Sequence, residues 1–325
     1  MISFLIPVRN EEQHIGETLE CLRHQTFGRS IEVLIFDAES TDQTVAAAKA
    51  YEPHFEYFKI YNNPKLSASS AWNLGVQKAK FPIVSLLSGH VLLPCNYCED
   101  VLKNLTTEYA GVGFKAQGIG SGHIATTIAA ACNSFVVTGG SSYTSAKSMK
   151  EVDTLAYGAY WKDALRSVDG FDEQLLRGQD WDINLRLTQN GRRLALLTGE
   201  PIQYFVRSSL LAIFQRFWLA GLWKPRIQFK NSSLPKLRHL APSATLILAA
   251  TLLCSLVFFD AGWIRIVTLV MSLVYFGAIV TNYFQCRPRP NLPVFVTAAV
   301  GIHFFYGLGV LAGLAGLAFF KRIRA

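Results

Sequence analysis

The chain has 325 residues, a formal net charge of +8, 50% hydrophobic and 17% charged residues, and a mean hydropathy of +0.24. It is too apolar for an ordinary soluble enzyme. Much of the positive excess lies between Arg207 and Arg238 and after Phe320, beside apolar segments, which suits an anionic lipid surface and sets aside a nucleic-acid groove. The chain is large enough for a soluble-type domain with a full core followed by a membrane region.

Ile2 to Val8 reads as a buried strand, and Glu11 to Cys21 continues with helical spacing that puts Ile15, Leu19 and Leu22 on one face. The N-terminus does not read as a signal peptide, because the apolar run is short and meets Arg9-Asn10-Glu11-Glu12. Ile31 to Phe36 is a second strand. Ser40-Thr41-Asp42 supplies caps for a helix through Ala50. Tyr57 to Tyr61 is a strand, Ser67 to Ala79 a helix, and Pro82 to Leu87 a strand followed by Ser88-Gly89-His90. This alternation predicts an α/β fold with a parallel sheet and helices on both faces. Such sheets bind ligands at the carboxyl ends of their strands, so Arg9, Asp37 and His90 are expected to converge on one crevice.

Ala110 to Ser148 is rich in Gly, Ala, Ser and Thr. It lacks the GxxxxGK[ST] and GxGxxG fingerprints, and reads as substrate-covering loops with small-residue helix packing. Glu151 to Ala159 reads as a strand and Ala164 to Val168 as a short helix. Phe171 to Leu187 crowds Asp172, Asp180 and Asp182 where a loop becomes a helix after Gly178. An acidic helix start is one reading; a general base at Asp180 is the other. Asp182 and Arg186 read as surface or supporting groups of that helix.

Six scattered cysteines require no disulfide, which fits a reducing compartment. Cys95-Asn96-Tyr97-Cys98 lacks the second pair that a zinc site needs. Ser208 to Gln228 places Leu210, Leu211, Phe214, Phe217, Trp218 and Leu222 on one helical side. Either it packs on the core or, as the flanking Trp, Lys and Arg favour, it lies in a membrane interface. Ser243 to Phe259, Ile266 to Phe284 and Val294 to Phe320 are long enough to cross hydrocarbon, the first barely, with a tight turn at Asp260 to Arg265. Lys236, Arg238 and His239 before the first segment, and Arg287 and Arg289 after the second, put those positions on the cytoplasmic side. A third crossing would export Lys321, Arg322 and Arg324; the alternative is a segment that bends and returns.

Four blocks, SFLIPVRNEEQHI, VLIFDAESTDQT, SASSAWNLGVQKAKFPIVSLLSGHVLLP and VDGFDEQLLRGQDWDINLRLTQNG, resemble in order and spacing the family 2 glycosyltransferases. In particular they resemble the membrane-attached enzymes of bacterial exopolysaccharide assembly of the succinoglycan type. The resemblance implies a GT-A nucleotide-sugar-binding domain over 1–206, an amphipathic interfacial region over 207–242, and a transmembrane region over 243–325. It implies that Pro7, Val8, Arg9 and Glu11 line a nucleotide pocket, that Asp37 accepts from the base, and that Ser88, Gly89 and His90 stand where the family carries its metal-binding Asp-x-Asp. Both acids are missing there. His90 can ligate Mn²⁺ or Mg²⁺, or be a structural histidine. Asp37 could alternatively cap the next helix.

The family's acidic pair is commonly Glu-Asp. Here Gln179 precedes Asp180, which holds the position of the base that deprotonates an acceptor hydroxyl during inverting transfer. Gln179, Gln215 and Trp218 are candidate acceptor contacts, with interfacial anchoring the alternative for Trp218. The resemblance implies a UDP-sugar donor, a polyprenyl-diphosphate-linked saccharide acceptor, and a multi-pass protein of the bacterial plasma membrane with a cytoplasmic catalytic domain. Rival readings are a polyprenyl-phosphate sugar synthase and an inactive scaffold subunit.

Overall fold

The structure, a computed structural model, describes residues 1–26, 30–139, 149–233, 237–258 and 262–324. Ser148, Lys236 and Asp260 lie outside the described residues. The chain divides into two compact units, one of Met1–Gln117 and Ser142–Phe205, the other of Gly118–Ser141 and Val206–Ala325.

The first unit is built on an eight-stranded sheet. The described strands of the chain, in order, begin with β1 (Ile2–Val8), β2 (Glu32–Asp37), β3 (Tyr57–Asn62) and β4 (Ile83–Leu86). After a short β5 (Val91–Leu92) come β6 (Tyr109–Gly113), β7 (Ala116–Ile119), β8 (Lys150–Val152), β9 (Ala159–Trp161), β10 (Arg193–Leu196) and β11 (Ile202–Phe205). The sheet order is β3-β2-β1-β4-β9-β6-β10-β8. The run β3-β2-β1-β4 is parallel. β9 opposes both β4 and β6, β10 runs parallel to β6, and β8 opposes β10. The sheet is therefore mostly parallel, with two reversed strands. β5 pairs separately with β11.

Burial on both faces explains the near-continuous apolar runs of β1, β2 and β4. Ile2, Phe4, Ile6 and Val8 face a core shared with α1 (Ile15–Arg23) and α4 (Tyr97–Asn104). Leu5, Leu34 and Phe36 face the opposite core, closed by α3 (Ala68–Lys78), α7 (Lys162–Arg166) and α8 (Gln179–Gln189). The helix α2 (Thr44–Lys49) is shorter than its sequence suggests. Asp42 Oδ1 accepts from the Thr44 amide at 2.9 Å, whereas Ser40 and Thr41 bond to Asn10 instead.

Two expectations need correction. Glu151 to Ala159 is not one strand: it splits into β8 and β9, because the chain leaves the sheet at Asp153 and returns through Tyr157, at φ 52°, and Gly158. The small residues after Ala110 do not begin a loop. Gly111 lies against the Tyr160 ring and Gly113 against Leu155, so glycine in β6 makes room for core side chains. Residues 140–148 of that segment are outside the described residues.

The second unit is helical. It contains α5 (His123–Asn133), α6 (Phe135–Thr138), α9 (Leu210–Lys230), α10 (Leu237–Phe258), α11 (Gly262–Gln285) and α12 (Leu292–Arg324). Gly262–Gln285 and Leu292–Gly316 are long and apolar enough to cross a membrane, and His239–Ser255 is a shorter apolar stretch. α11 is a continuous helix from Gly262, so Gly262 to Arg265 belongs to it and not to a turn. α9 packs along α12, with the Phe214 and Phe305 rings stacked at 5.0 Å.

Candidate active site

Three neighbouring parallel strands deliver the first group of residues to one end of the sheet. Val8 is in register with Asp37, and Leu5 with Leu86, so Arg9 to Glu11, Asp37 and Ser88 to His90 follow adjacent strand ends. The β1 and β2 loops are tied together. Asn10 takes φ 54°; its amide donates to Ser40 Oγ, and its Oδ1 accepts from the Thr41 amide at 2.9 Å. The Glu11 amide donates to Thr44 Oγ1 at 2.7 Å, and Glu12 Oε2 accepts from the Gln43 amide at 2.9 Å. Asp37 accepts from the Ser40 amide at 3.2 Å, so it stabilises its own turn at the rim. The Val8 side chain is buried in the core and its carbonyl accepts from the Ala38 amide. Arg9 is exposed and Pro7 half-buried.

Sequence reasoning placed Glu11 and His90 in this group but did not pair them. His90 Nδ1 lies 2.8 Å from Glu11 Oε1, and both side chains are largely buried. Gly89 makes the approach possible: a Cβ there would fall 3.0 Å from Val8 Cγ1 and 3.1 Å from Glu11 Cβ. With Nδ1–H donating to the carboxylate, Nε2 keeps its lone pair, the form in which a histidine can ligate a metal. A carboxylate on the far nitrogen is how proteins orient metal-binding histidines. Among the described residues, no group of three or more His, Cys, Asp or Glu side chains could hold a metal ion. The Glu11–His90 pair therefore fits a divalent cation that takes further oxygens from a bound diphosphate. It does not fit one held by side chains alone.

The second group is organised by α8. Gly178, at φ 78°, is the left-handed residue from which the helix starts, and Asp180 lies in its first turn. The Asp180 carboxylate accepts from the Trp181 amide at 2.8 Å, an arrangement favoured by the helix dipole. Asn184, one turn on and on the same face, is fully buried. Its Oδ1 accepts from Tyr160 Oη at 2.8 Å, and its Nδ2 donates to the Leu155 carbonyl at 3.0 Å. Burial pushes the Tyr160 hydroxyl pKa up. α8 leads into β10, which is parallel to β6, and β6 and β4 both oppose β9, so the first turn of α8 lies at the carboxyl end of the parallel strands. The Leu86 amide donates to the Gly158 carbonyl, which puts the start of β9 beside the carboxyl end of β4. Asp180 and His90 thus belong to the same end of the sheet, and Asp180 is half-buried there.

The approach to α8 is clamped from two sides. Asn73 of α3 bonds both backbone groups of Phe171 at 2.8 Å. Gly170 has φ 67°, and a Cβ there would sit 2.6 Å from Asn73 Oδ1. Arg186 binds Asp182 Oδ2 at 2.7 Å and donates to the carbonyls of Val168 and Gly170. Asp182 is fully buried; it is a supporting group and not a surface one. Gln179 Nε2 donates to the Leu175 carbonyl at 2.9 Å. Its amide closes the loop before Asp180. Gln215, exposed, and Trp218, half-buried, are on α9 in the second unit. Asn73, Tyr160 and Asn184 were not singled out from sequence: a buried Asn is recognisable only once its partners are in place.

The family model for glycosyl transferase family 2 matches residues 3–136. A dolichyl N-acetyl-alpha-D-glucosaminyl phosphate 3-beta-D-2,3-diacetamido-2,3-dideoxy-beta-D-glucuronosyltransferase of Methanococcus voltae is 32% identical over 223 residues, 64% of this chain and 68% of that protein. The succinoglycan biosynthesis protein ExoA of Rhizobium meliloti (strain 1021) is 25% identical over 309 residues, 94% of this chain and 92% of that protein. Among solved structures, the mannosyltransferase PcManGT of Pyrobaculum calidifontis, in complex with GDP-Man and Mn²⁺, is similar with a TM-score of 0.63 at 16% identity, covering 96% of this chain and 86% of that one. S. aureus TarS 1-349 with UDP has a TM-score of 0.50 at 17% identity, covering 97% and 91%. These structural likenesses, at such low identity, show the GT-A fold. With the motif blocks on these strand ends and a relative of that identity over two thirds of its length, the chain is a glycosyltransferase and belongs to glycosyl transferase family 2.

Proposed function

We propose that this glycosyltransferase moves a sugar, with inversion, from a UDP-sugar to a hydroxyl of a polyprenyl-diphosphate-linked saccharide, in cell-surface polysaccharide assembly. Asp180 takes the proton of the acceptor hydroxyl. The freed oxygen lone pair bonds to the anomeric carbon, and the bond from that carbon to the diphosphate oxygen breaks. The nucleoside diphosphate leaves with the electron pair. The observation that carries this reading is the half-buried Asp180 on a clamped helix start, at the end of the sheet where His90 and Asp37 also lie. The names of the two relatives support the acceptor class: one acts on a dolichyl-phosphate-linked sugar, the other belongs to succinoglycan biosynthesis.

Pro7, Val8 (through its backbone), Arg9, Glu11, Asp37, Ser88 and Gly89 are assigned to the nucleotide and diphosphate side. A divalent cation, Mn²⁺ or Mg²⁺, held by His90 with diphosphate oxygens would supply charge neutralisation for the departing phosphate. Residues 1–206 form the catalytic domain on the cytoplasmic face, with 207–242 and 243–325 attaching it to the plasma membrane. Purified protein incubated with UDP-sugars, Mn²⁺ and lipid-linked saccharides should give a lipid product heavier by one sugar, with release of UDP. A sugar attached directly to polyprenyl monophosphate as the only product would contradict the proposed acceptor.

A further inference from the structure

α9 and α12 run side by side in the same direction with their backbones touching. Phe214 packs on Gly301, Gly221 on the Tyr306 carbonyl, and Gly309 on the Trp218 carbonyl. A Cβ on Gly313 would fall 2.6 Å from the Leu222 carbonyl, and one on Gly316 would fall 3.6 Å from the Arg226 guanidinium. Small residues permit this contact. Over the stretch from Gly301 to Gly316, about 20 Å of helix, the two helices therefore share one depth. α9 carries Arg216, Lys224 and Arg226 in that stretch, with Arg226 over the Trp223 ring at 5.3 Å. A spanning α12 would carry these three cations through hydrocarbon, where each is costly.

A second observation agrees. The Val136 amide of α6 donates to Asn282 near the end of α11, and the Val136 carbonyl accepts from His303 Nε2 in the middle of α12. One residue thus ties α12 to the terminal turns of α11, and His303 Nδ1 also lies 2.8 Å from Tyr275 Oη, two turns further back along α11. The irregular backbone around α6 also belongs outside lipid-exposed hydrocarbon. α11 behaves differently. Trp263, Ile266, Leu269, Leu273, Val274 and Phe284 are all exposed along it, as in a helix surrounded by lipid. Finally, α12 is one continuous helix, so it does not bend and return.

We propose that only the α10–α11 hairpin crosses the bilayer. α9 and α12 form a glycine-packed pair lying in the headgroup layer on the face from which the hairpin enters. The cations of α9 then meet anionic headgroups. Lys321, Arg322 and Arg324 stay on the same face as Arg287 and Arg289, which keeps the charge asymmetry that a third crossing would break. This rests on the membrane attachment proposed above but not on the transfer chemistry.

The test inserts one epitope into the full chain after Asp260, after Arg289 or after Ala325, with antibody access read in intact and permeabilised spheroplasts. The epitope after Asp260 is expected to be accessible in intact spheroplasts, and those after Arg289 and Ala325 only after permeabilisation. Access after Ala325 in intact spheroplasts, together with access after Asp260, would overturn the proposal, and so would an epitope after Asp260 that shares a face with the one after Arg289. Recovery of the untagged chain in the soluble fraction would instead overturn the membrane attachment itself.

Discussion

Glu11, just past the end of β1, and His90, just past the end of β4, meet through a 2.8 Å contact across 79 residues of sequence. His90 stands at the third position of the metal motif that the resemblance implies, and the contact with Glu11 gives its ring a fixed orientation. Glu11→Ala should weaken Mn²⁺ binding to the UDP complex by about 10- to 100-fold, the usual cost of removing such a partner, while UDP binding in chelator changes little. Glu11→Gln, which keeps an acceptor, should fall between. Titration calorimetry reads both; equal Mn²⁺ affinity in wild type and Glu11→Ala would show that the pair has no bearing on the cation.

Asp182 is fully buried and bonds Arg186, whose other donors hold Val168 and Gly170. Arg186→Ala removes the guanidinium from that buried carboxylate and frees the loop before Phe171. Loss of one member of a buried pair costs about 3–5 kcal/mol. Urea unfolding followed by circular dichroism should show a loss of that size, and a change below about 1 kcal/mol would count against the clamp.

Gln179 stands where the resemblance implies a Glu, yet replacing it by Glu should not help. A carboxylate cannot donate to the Leu175 carbonyl. It would also add a second negative charge beside Asp180, making proton loss from Asp180 harder. Gln179→Glu is expected to lower kcat and move the acid limb of the rate profile to higher pH. Unchanged kcat with an unmoved profile would contradict the loop-closing role.

Glu173 ties the same loop to α3. Its carboxylate is held below the ordinary carboxylate range, first by the hydrogen bond from Lys65 and then by that from Asn73. The folded-state value lies below the unfolded one, near ~4.3. The stabilisation is therefore fully present above that pH and is lost as pH falls through the lowered folded value. Glu173→Gln should be less stable than wild type at neutral pH, with the gap closing in acid. Urea midpoints at several pH values check this; a gap that does not change with pH would refute it.

The β1-α1-β2-α2-β3-α3-β4 half was legible because each strand is a short apolar run ended by a polar residue, as at Asp37. The second half was less so. β8 and β9 look like one strand because their separation depends on Tyr157 adopting a positive φ, which composition does not reveal. The start of α8 just before Asp180 was legible from Gly178 and the apolar series after it. What anchors it was not: Tyr160, Leu155 and Asn184 meet only through sheet pairing and burial. The direction of α9 along α12 depends on glycine contacts between segments far apart in sequence. The apolar pattern of either helix alone is satisfied equally by a span or by an interfacial helix.

The central claim is that Asp180 removes the acceptor proton. Single-turnover transfer by Asp180→Asn, measured with UDP affinity on the same preparation, tests it most directly. The account predicts transfer reduced by at least about 10²-fold with UDP affinity within about threefold of wild type. Transfer at the wild-type rate by that variant would contradict it.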